Sequence, residues 1–577
     1  MEKRVLLAVV LSFVVLYGYQ AIFPPPKPQP KPAVSAGQSA AGTPAATSST
    51  TPSGTTAEAP PPSGPPAAAA VVADTEERDI TFDNDSVTAV FTTRGGVLKS
   101  WRLKKYQDAA HGPLELIPHA VPTGSARPFT ITVPEGAVSA TLVQALFKPS
   151  TTDVRVTSAP ATLTFEYQDA SGLAARKEFS FAPGSPYVIN FSATVSLGGR
   201  NLNPAIQWGP ALGSGVVVSA RTYNPPPQPI FYRDGKVSRI AAAKIPENAS
   251  QDGVFGFAGV DDHYFLTAAL SASQPLHLDY KPLSVPVPGT TETVAHFVDW
   301  AARFQSGAHN AKFFAGPKDF DVLASVDRDL VRSIDFGMFA WLVVPLLRAL
   351  KWVNGYVGNY GWSIILLTVL INLAMFPLRH KSVVSMRRMQ ELQPEIKAIQ
   401  DRYAKLKMTD PARQKMNTEM MSLYRERGVN PASGCVPMLL TLPVLFAFYS
   451  MLSVAIELRG APFVGWIHDL SVHDPLFITP VLMGITQFVQ TKMTPSTADP
   501  MQQKMMMFMP IIFMAMFIWA PSGLVLYWTT SNLWAIGQQA FTNRIIGPSA
   551  QRIVRPPAER RVKNIGGGKT DQAKEQK

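Results

Sequence analysis

Six apolar segments, each free of charged side chains, stand out from the pattern of hydrophobic and polar positions. They are Val5–Phe23, Gly361–Leu378, Cys435–Ile456, Pro475–Thr491, Met505–Trp519 and Gly523–Ala540. A helix rises about 1.5 Å per residue, so about 19 apolar residues cover about 28 Å, close to the roughly 30 Å hydrocarbon core of a bilayer. The pattern predicts a polytopic α-helical membrane core with six transmembrane helices: one in 1–23, one in 359–378 and four in 433–542.

Lysine and arginine cluster on one side of these segments. Residues 379–430 carry 12 Lys and Arg against 6 Asp and Glu, and residues 543–577 carry 9 against 3. Residues 24–335 carry 25 against 27. Because the cytoplasmic flanks of membrane helices are enriched in Lys and Arg, both termini are predicted to be cytoplasmic and 24–335 to lie across the membrane. The net charge of +12 is then mainly a topology signal rather than a sign of DNA or RNA binding.

The first apolar segment differs from a cleaved signal peptide. It covers a full membrane thickness and no small-x-small cleavage site follows it, so residues 1–23 are predicted to be a retained signal anchor. Residues 24–73 hold 13 Pro and 13 Ala, a composition typical of a disordered linker. Cys435 is the only cysteine, so no intrachain disulfide can form, and we interpret it as a small buried residue at the mouth of a span.

Residues 74–335 have the pattern of a globular β domain. Short runs rich in β-branched and aromatic residues alternate with turn residues, without helical crossovers between them. The clearest are Asp79–Phe82, Ser86–Thr93, Leu98–Leu103, Phe129–Val133, Thr162–Tyr167 and Tyr187–Val195. This organisation predicts an antiparallel sandwich, so the fold class is α+β: a β domain outside the cytoplasm attached to a helical membrane core.

One cluster in this domain suggests chemistry. Asp261, Asp262 and His263 could supply a general base or metal ligands. Adjacent residues of a strand point to opposite faces, however, so the three converge only if a turn intervenes. We therefore expect a structural role here, with no catalytic residue, metal or cofactor.

A further apolar run precedes the second span. Phe339–Val353 is interrupted by Pro345, Arg348 and Lys351 and carries Trp341 near its start. Charges and tryptophans in an apolar helix favour a position along the membrane surface, so 336–358 is predicted to be an interfacial amphipathic helix. The alternative is an N-terminal extension of the second span.

Residues 379–432 predict a cytoplasmic helical hairpin. Apolar residues recur every three or four positions along two stretches, as on one face of a helix. They are Met386, Met389, Leu392, Ile396, Ile399, Tyr403 and Leu406, then Met416, Met420, Leu423 and Tyr424. Thr409, Asp410 and Pro411 suit the start of the second helix, Gly428 suits its end, and Pro394 should kink the first. The stripe is either the seam of the hairpin, which we favour, or a binding surface for apolar partners.

The later spans contain only neutral polar side chains at mid-membrane depth. They include Thr368, Asn372, Thr441, Ser450, Gln487, Asn532 and Gln538. Ion-coupled transporters usually need ionisable groups there, so a small-molecule transporter is disfavoured. Most of these side chains suit interhelical hydrogen bonds, and their number allows one wet, uncharged groove.

The sequence resembles the YidC family of bacterial membrane-protein insertases, in the Oxa/Alb superfamily. The resemblance covers essentially the whole chain and is strongest in long, irregular strings. These are VNPASGCVPMLLTLPVLFAFYSML (Val429–Leu452), ELRGAPFVGWIHDLSVHDP (Glu457–Pro475), DPMQQKMMMFMP (Asp499–Pro510) and PSGLVLYWTTSN (Pro521–Asn532). TRGGVLKSWRL (Thr93–Leu103) is similar to the periplasmic domain of Gram-negative members, which implies a β-supersandwich akin to sugar-mutarotase folds.

The resemblance implies a hydrophilic groove open to cytoplasm and lipid. The groove positions carry over as Thr368, Thr441, Tyr527 and Trp528. The family usually places an arginine in the second span, and alignment through Ala374–Leu378 puts Asn372 at that position. Where the family usually has a second tyrosine, Trp528 keeps only an indole N–H donor.

Arg379 is expected to supply part of the missing charge. It follows Asn372 by seven residues, which is about two helical turns and therefore nearly the same face. Helical side chains lean toward the N-terminus, so a long arginine side chain could reach back into the membrane. Pro377 between them is the feature that could break this register. The alternative is that Arg379 is only a topology signal, because a basic residue is also expected at the cytoplasmic end of a span.

The expected function is that of an inner-membrane insertase and chaperone that is not an enzyme. The resemblance implies nascent inner-membrane proteins, the Sec translocon with its accessory subunits, the translating ribosome and membrane lipids as partners. The basic tail, 543–577, and the hairpin are the expected ribosome contacts. The principal alternative is a membrane-anchored, periplasmic carbohydrate-binding or carbohydrate-modifying protein, and deletion of the sandwich would separate the two.

Overall fold

The computed structural model describes residues 69–546, with gaps at 109–110, 120, 123, 214–225, 271–273, 287–293, 306, 404–411, 430–435 and 495–499. At 412–413, 436–441, 500–503 and 546 only the backbone is described. The predicted signal anchor, almost all of the predicted linker, Cys435, Leu406, the Thr409–Pro411 cap and most of the basic tail lie outside the described residues. Pro394–Gly428 forms a compact unit of its own, and the rest of the described chain forms another.

The first part of the described chain is built of strands. They are β1 (Ala70–Val72), β2 (Asp79–Asp83), β3 (Val87–Thr92), β4 (Val97–Gln107), β5 (Pro113–Glu115), β6 (Thr130–Thr132), β7 (Lys148–Pro149), β8 (Asp153–Arg155), β9 (Ala161–Asp169), β10 (Leu173–Phe181), β11 (Val188–Leu197), β12 (Arg200–Leu202), β13 (Ala205–Ala211), β14 (Gln228–Arg233), β15 (Lys236–Arg239), β16 (Ser250–Val254), β17 (Phe257–Asp261), β18 (Phe265–Leu270), β19 (Pro275–Pro286), β20 (Val294–Phe304) and β21 (Ala311–Pro317). All six of the strands predicted from the sequence are present.

The strands form three sheets. The largest has the order β1-β9-β10-β11-β21-β18-β17-β14-β15, with β12 beside β11 and β7 beside β9. The other two are β16-β19-β20-β13-β6 and β5-β4-β3-β2-β8. Among the described strands every pairing is antiparallel except β2 with β8. The predicted antiparallel sandwich is confirmed.

Aromatic side chains fill the space between the sheets. Phe82 of a small sheet meets Phe181 of the large one with ring centroids 4.1 Å apart. The fully buried Trp101 donates its indole N–H to the Ala315 carbonyl of β21 across 3.0 Å. Phe129 packs within 5.3 Å, centroid to centroid, of Trp208 and within 5.2 Å of Phe313. These contacts place the hydrophobic core where alternating apolar residues of facing strands meet.

Helices make up the second part of the chain. They are α1 (Gly136–Gln144), which lies within the sandwich sequence, α2 (Phe320–Val326), α3 (Ala340–Val357), α4 (Tyr360–Glu391), α5 (Gln393–Arg402), α6 (Ala412–Glu426), α7 (Val436–Val454), α8 (Ile478–Met493), α9 (Pro500–Phe517) and α10 (Ser522–Ile546). α10 packs against α4 and α8, α9 packs against α8, and α3 packs against α4 and α7. By length and apolar composition, one described helix, α4, is able to cross a membrane, and Leu442–Val454 and Lys504–Phe517 are shorter apolar helices.

The predicted amphipathic helix is a separate element, α3. Gly358 follows it with φ of 70°, a left-handed conformation that ends a helix, and Asn359 then caps the start of α4 through the Trp362 amide. The alternative of a continuous extension of the second span is therefore wrong. Val343 and Leu350 are buried against the protein, whereas Trp341 and Trp352 are exposed. The helix has the two faces that its sequence predicts.

α4 is longer than the predicted span. It passes through Pro377 and continues to Glu391, and Leu392 separates it from α5. The predicted kink near Pro394 is thus a break two residues earlier. Proline has no N–H, so a proline inside a helix leaves the carbonyl four residues earlier without its usual donor. In membrane helices, neighbouring helices and Ser or Thr side chains often supply a replacement donor.

The unit Pro394–Gly428 contains the antiparallel pair that the sequence predicts. Arg427 pairs with Glu395 at 3.0 Å, and Arg402 pairs with Glu419 at 3.2 Å. Tyr403 donates its hydroxyl to Glu419 across 2.7 Å. The apolar residues Ile396 and Ile399 of α5 and Met420 and Tyr424 of α6 are buried. Their burial is what a hairpin seam requires, and the seam stays the interpretation that we favour over an exposed binding surface.

Candidate functional site

A ladder of polar side chains runs along one side of α4. Thr368 is fully buried and donates to the Ile364 carbonyl across 2.6 Å. Asn372, also buried, donates its amide to the Thr368 carbonyl across 2.8 Å. Each bond spans four residues, so these side chains satisfy themselves on their own helix in a region where unpaired polar groups are expensive.

Arg379 completes the ladder. Its Nη1 donates to Asn372 Oδ1 across 2.7 Å, seven residues back along the helix. The contact confirms that Pro377 leaves the helical register intact and that Arg379 leans toward the N-terminus of α4. The guanidinium of Arg379 therefore places a positive charge next to the neutral side chain of Asn372.

Tyr527 and Trp528, the two aromatic groove candidates on α10, contact different helices. Tyr527 is buried and stacks on Phe448 of α7, with centroids 4.4 Å apart and planes within 10°. Trp528 donates its indole N–H to Gln487 Oε1 of α8 across 2.9 Å. Its ring packs on Phe513 and Phe517 of α9. The indole donor that the sequence placed in a groove is engaged in holding α8 and α9 to α10.

Not every predicted groove residue can be placed. Thr441 lies in α7, at a position where only the backbone is described. Met386 is half-buried on the last part of α4, and Met389 and Leu392 are buried. Thr368, Asn372 and Arg379 lie together along α4, Tyr527 stacks on α7, and Trp528 faces α8 and α9.

Several polar contacts near this site were missed by sequence reasoning. Asn532 donates to Thr486 Oγ1 of α8 across 3.2 Å. His380 Nδ1 lies 3.3 Å from Thr542 Oγ1, and Arg387 bonds to Asn543. The sequence signal for these contacts is the run of polar residues near the end of α10, which includes Gln539, Thr542 and Asn543. Their partners are remote in sequence, so only the packing of α4, α8 and α10 reveals them.

Side-chain atoms of the same helices that are buried without a hydrogen-bond partner among the described residues include three indole or amide atoms. They are Trp534 Nε1 and Gln538 Nε2 on α10 and Gln490 Oε1 on α8. A buried polar atom left unpaired costs roughly 1–3 kcal/mol, so such atoms favour water or a polar ligand next to them. Trp534 and Gln538 are four residues apart and share one face of α10.

The Asp261–His263 cluster does not converge. Asp261 is buried and pairs with Arg239 and Lys318, each at 3.0 Å. Asp262 Oδ1 accepts from the amides of Tyr264 and Phe265, and burial raises the pKa of this carboxyl. His263 contacts a helix elsewhere in the molecule. Within the residues that the structure describes, no group of three or more His, Cys, Asp or Glu side chains could hold a metal ion.

Comparison with known proteins divides the chain into two matched regions. Residues 79–349 match the family model described as YidC periplasmic domain, and residues 352–549 match the one described as 60Kd inner membrane protein. A protein of Geobacter metallireducens named membrane protein insertase YidC is 36% identical over 569 residues, which cover 95% of this chain and 99% of that protein. A protein of Citrifermentans bemidjiense with the same name is 37% identical over 555 residues, covering 95% and 100%.

Solved structures show weaker likenesses. The crystal structure of an active YidC insertase with its first transmembrane domain resolved is 19% identical, covers 82% of this chain and 94% of its own, and has a TM-score of 0.33. A putative aldose 1-epimerase from Escherichia coli K12 is 9% identical over 42% of this chain and 100% of its own, with a TM-score of 0.24. At these scores neither likeness bears on the function of this chain.

Proposed function

The chain belongs to the YidC family of membrane protein insertases, and on that premise we propose that it inserts nascent inner-membrane proteins and helps them to fold and assemble. Like its relatives it is an inner-membrane protein with a periplasmic domain. The proposed route is a hydrophilic groove, open to cytoplasm and lipid, between α4, α7 and α10. The residues that would line it are Thr368, Asn372, Arg379, Thr441 and Tyr527, with Trp528 bracing its wall.

One observation carries the groove proposal: buried polar side chains lie where apolar helices meet. Thr368 and Asn372 on α4 and Asn532 and Gln538 on α10 are all buried. Arg379 adds a cation beside Asn372. Polar and charged groups within membrane helices are expensive and usually face a water-filled cavity or functional path. The unpaired atoms of Trp534 and Gln538 are consistent with water entering from this side.

The energetics of insertion favour such a groove. A substrate span of about 20 apolar residues gains roughly 0.3–0.6 kcal/mol per residue, or about 6–12 kcal/mol in total, when it enters lipid. The barrier lies in its polar flank, because each charge costs about 2.5–3.5 kcal/mol or more at the bilayer centre. A wet path that reaches partway across shortens the distance over which this cost is met, so insertion needs no nucleotide hydrolysis.

The proposed topology has six transmembrane helices with both termini in the cytoplasm. The boundaries remain those predicted from the sequence: an anchor in 1–23, a linker in 24–73, a periplasmic β-supersandwich in 74–335, an interfacial helix in 336–358, and membrane helices in 359–378 and 433–542. The hairpin, 379–432, and the tail, 543–577, would then face ribosomes. We propose that the protein acts alone and beside the Sec translocon.

Photocrosslinking during translation tests the groove. A photoreactive amino acid at Thr368 or Asn372 is expected to crosslink to a short membrane protein stalled on the ribosome. Leu370 provides the matched control, because it lies on the same helix and its side chain is 45% exposed. Equal crosslinking from Leu370 and Thr368 would contradict a groove on the buried side of α4. Reconstituted protein that fails to insert any membrane protein into liposomes would contradict the function itself.

A further inference from the structure

A turn of the periplasmic sandwich caps a helix of the membrane core. His263 lies between β17 and β18, and its Nε2 is 2.7 Å from the carbonyl oxygen of Ser453. α7 ends at Val454, so this carbonyl belongs to the last turn, whose acceptors lack partners within the helix. Burial lowers the pKa of His263, which favours a neutral ring. Because a carbonyl only accepts, the ring nitrogen donates and caps the helix C-terminus.

The two residues after His263 contact the segment that connects α7 to α8. The side chain of Tyr264 lies close to Ser471. The ring of Phe265 lies beneath the Arg459 guanidinium, 5.3 Å from its centroid, in a cation–π arrangement. Three consecutive residues of the sandwich thus contact the last turn of α7 and two points of the segment that follows it. These contacts form an interface between the turn of the sandwich and the end of α7 with the segment that follows it.

The turn is held rigid from within the sandwich. Asp262 accepts two backbone amides of the turn, and Lys318 donates to both the Asp262 carbonyl and the Asp261 carboxylate. Arg239 pairs with Asp261 and donates to the Ser333 carbonyl across 2.5 Å. The acidic pair that resembled a catalytic cluster therefore fixes the shape of the turn that presents His263.

A second contact joins the same parts of the molecule through Lys351 of α3. Its Nζ lies 2.5 Å from Asp321 and 3.5 Å from Asp319 at the start of α2, and 3.2 Å from Glu457 just after α7. Arg348, one turn earlier on α3, lies over the ring of Phe320 at 5.3 Å. The two charges that distinguish α3 from a transmembrane helix are thus the side chains that bind it to the end of the sandwich.

We propose that the sandwich is a brace that fixes the periplasmic ends of α7 and α3. The Asp261–Phe265 turn and the Lys351 cluster are its two points of attachment, and His263 and Lys351 are positioning residues. This inference rests on the proposed function, because α7 would form one wall of the groove. Anchoring at the periplasmic ends holds this wall in place there, while the cytoplasmic side stays available to substrates.

Hydrogen–deuterium exchange of the full-length protein in lipid nanodiscs tests the attachment. In the double variant His263→Ala, Lys351→Met, backbone amides of the last turn of α7 and of 455–471 should exchange about tenfold faster or more. The reason is that loss of the capping hydrogen bond and of the ion cluster makes local opening of this region less costly in free energy. The matched control is His277→Ala, Lys99→Met. These side chains pair with Asp252 and Asp79 within the sandwich. Unchanged exchange in the double variant would overturn the attachment.

Insertion measured on the same preparations tests the brace. Insertion of a single-span substrate into liposomes should slow several-fold in the double variant and stay at the wild-type rate in the control pair. Faster exchange with an unchanged insertion rate would overturn the bracing role. Absence of insertion by the wild-type protein would instead count against the proposed function, and the exchange result would stand independently of it.

Discussion

Arg379 donates a hydrogen bond to Asn372 across 2.7 Å, although seven residues separate them on α4. The bond spans two helical turns and passes Pro377. It brings a permanent cation to an amide that cannot itself carry charge, since the guanidinium stays protonated under all ordinary conditions. We therefore propose that Asn372 and Arg379 together take the place of the arginine that the family usually has in the second span.

This pair predicts a specific pattern of mutant effects. Arg379→Ala should reduce insertion of a substrate with an acidic translocated tail, because the attractive charge is lost. The side-chain oxygen of Asn372 also loses its hydrogen-bond donor. Asn372→Arg added to Arg379→Ala should restore insertion. The measurement is the fraction of substrate protected from protease after insertion into membrane vesicles.

The matched control for this pair is Arg388→Ala. Arg388 is exposed near the end of the same helix, so its removal changes the net charge of α4 equally. Insertion should stay normal in this variant and for substrates with neutral tails. Normal insertion of the acidic substrate by Arg379→Ala would contradict the assigned role.

The hairpin is expected to matter more for insertion than the periplasmic domain does. Pro394–Gly428 is a compact unit with its own seam, and Gly428, with φ of 61°, ends α6. Deletion of 386–427 should abolish insertion of most substrates, whereas deletion of the sandwich should only slow it. Depletion complementation in cells, with substrate insertion as the readout, checks the comparison. Full insertion of every substrate by the hairpin deletion would refute the prediction.

The basic tail is predicted to recruit ribosomes in addition to its topology role. Residues 543–577 carry 9 Lys and Arg against 3 Asp and Glu, with little apolar content. Contacts of Lys and Arg with RNA phosphates release counterions and weaken as salt rises. Truncation after Ile546 should therefore reduce ribosome co-sedimentation at low salt more than at moderate salt. Equal co-sedimentation of full-length and truncated protein at both salt concentrations would leave only the topology role.

Lys177 predicts a pH dependence of sandwich stability. Its ammonium faces the carbonyls of Gly95 and Phe129, each at 2.7 Å, and that of Gly96 at 3.2 Å. Burial lowers the pKa of Lys177 to about 7. The folded state then binds this proton less tightly than the unfolded state, so the free energy of unfolding should rise with pH from about 7 to about 10, by up to about 1.4 kcal/mol per pH unit.

Urea unfolding followed by tryptophan fluorescence measures this dependence. The rise with pH should disappear in Lys177→Met, which cannot bind the proton. Lys99→Met is the matched control, because Lys99 pairs with Asp79 at 2.7 Å on the surface of the same sandwich, and it should keep the wild-type slope. An identical slope in wild type and Lys177→Met would show that the dependence arises elsewhere.

Local patterns in the sequence determined much of this structure. Alternation of apolar and polar residues marked the strands, and a period of three or four marked the seam of the hairpin. The same period placed Arg379 over Asn372, because contacts within one helix depend only on its geometry. Gly358 ends α3 and so separates it from α4, whereas the position of α3 along the membrane surface stays a prediction from its charges and tryptophans.

Contacts between remote elements were decided only by the tertiary structure. The His263 ring and the Ser453 carbonyl are 190 residues apart, and Trp528 lies 41 residues from Gln487. No local pattern encodes which surfaces meet, so Asp261–His263 resembled a catalytic cluster and Trp528 resembled a free donor in a groove. Packing of the sandwich on α7, and of α8 on α10, gave these side chains their partners, because a buried polar group is stable only where the fold brings a complementary group to it.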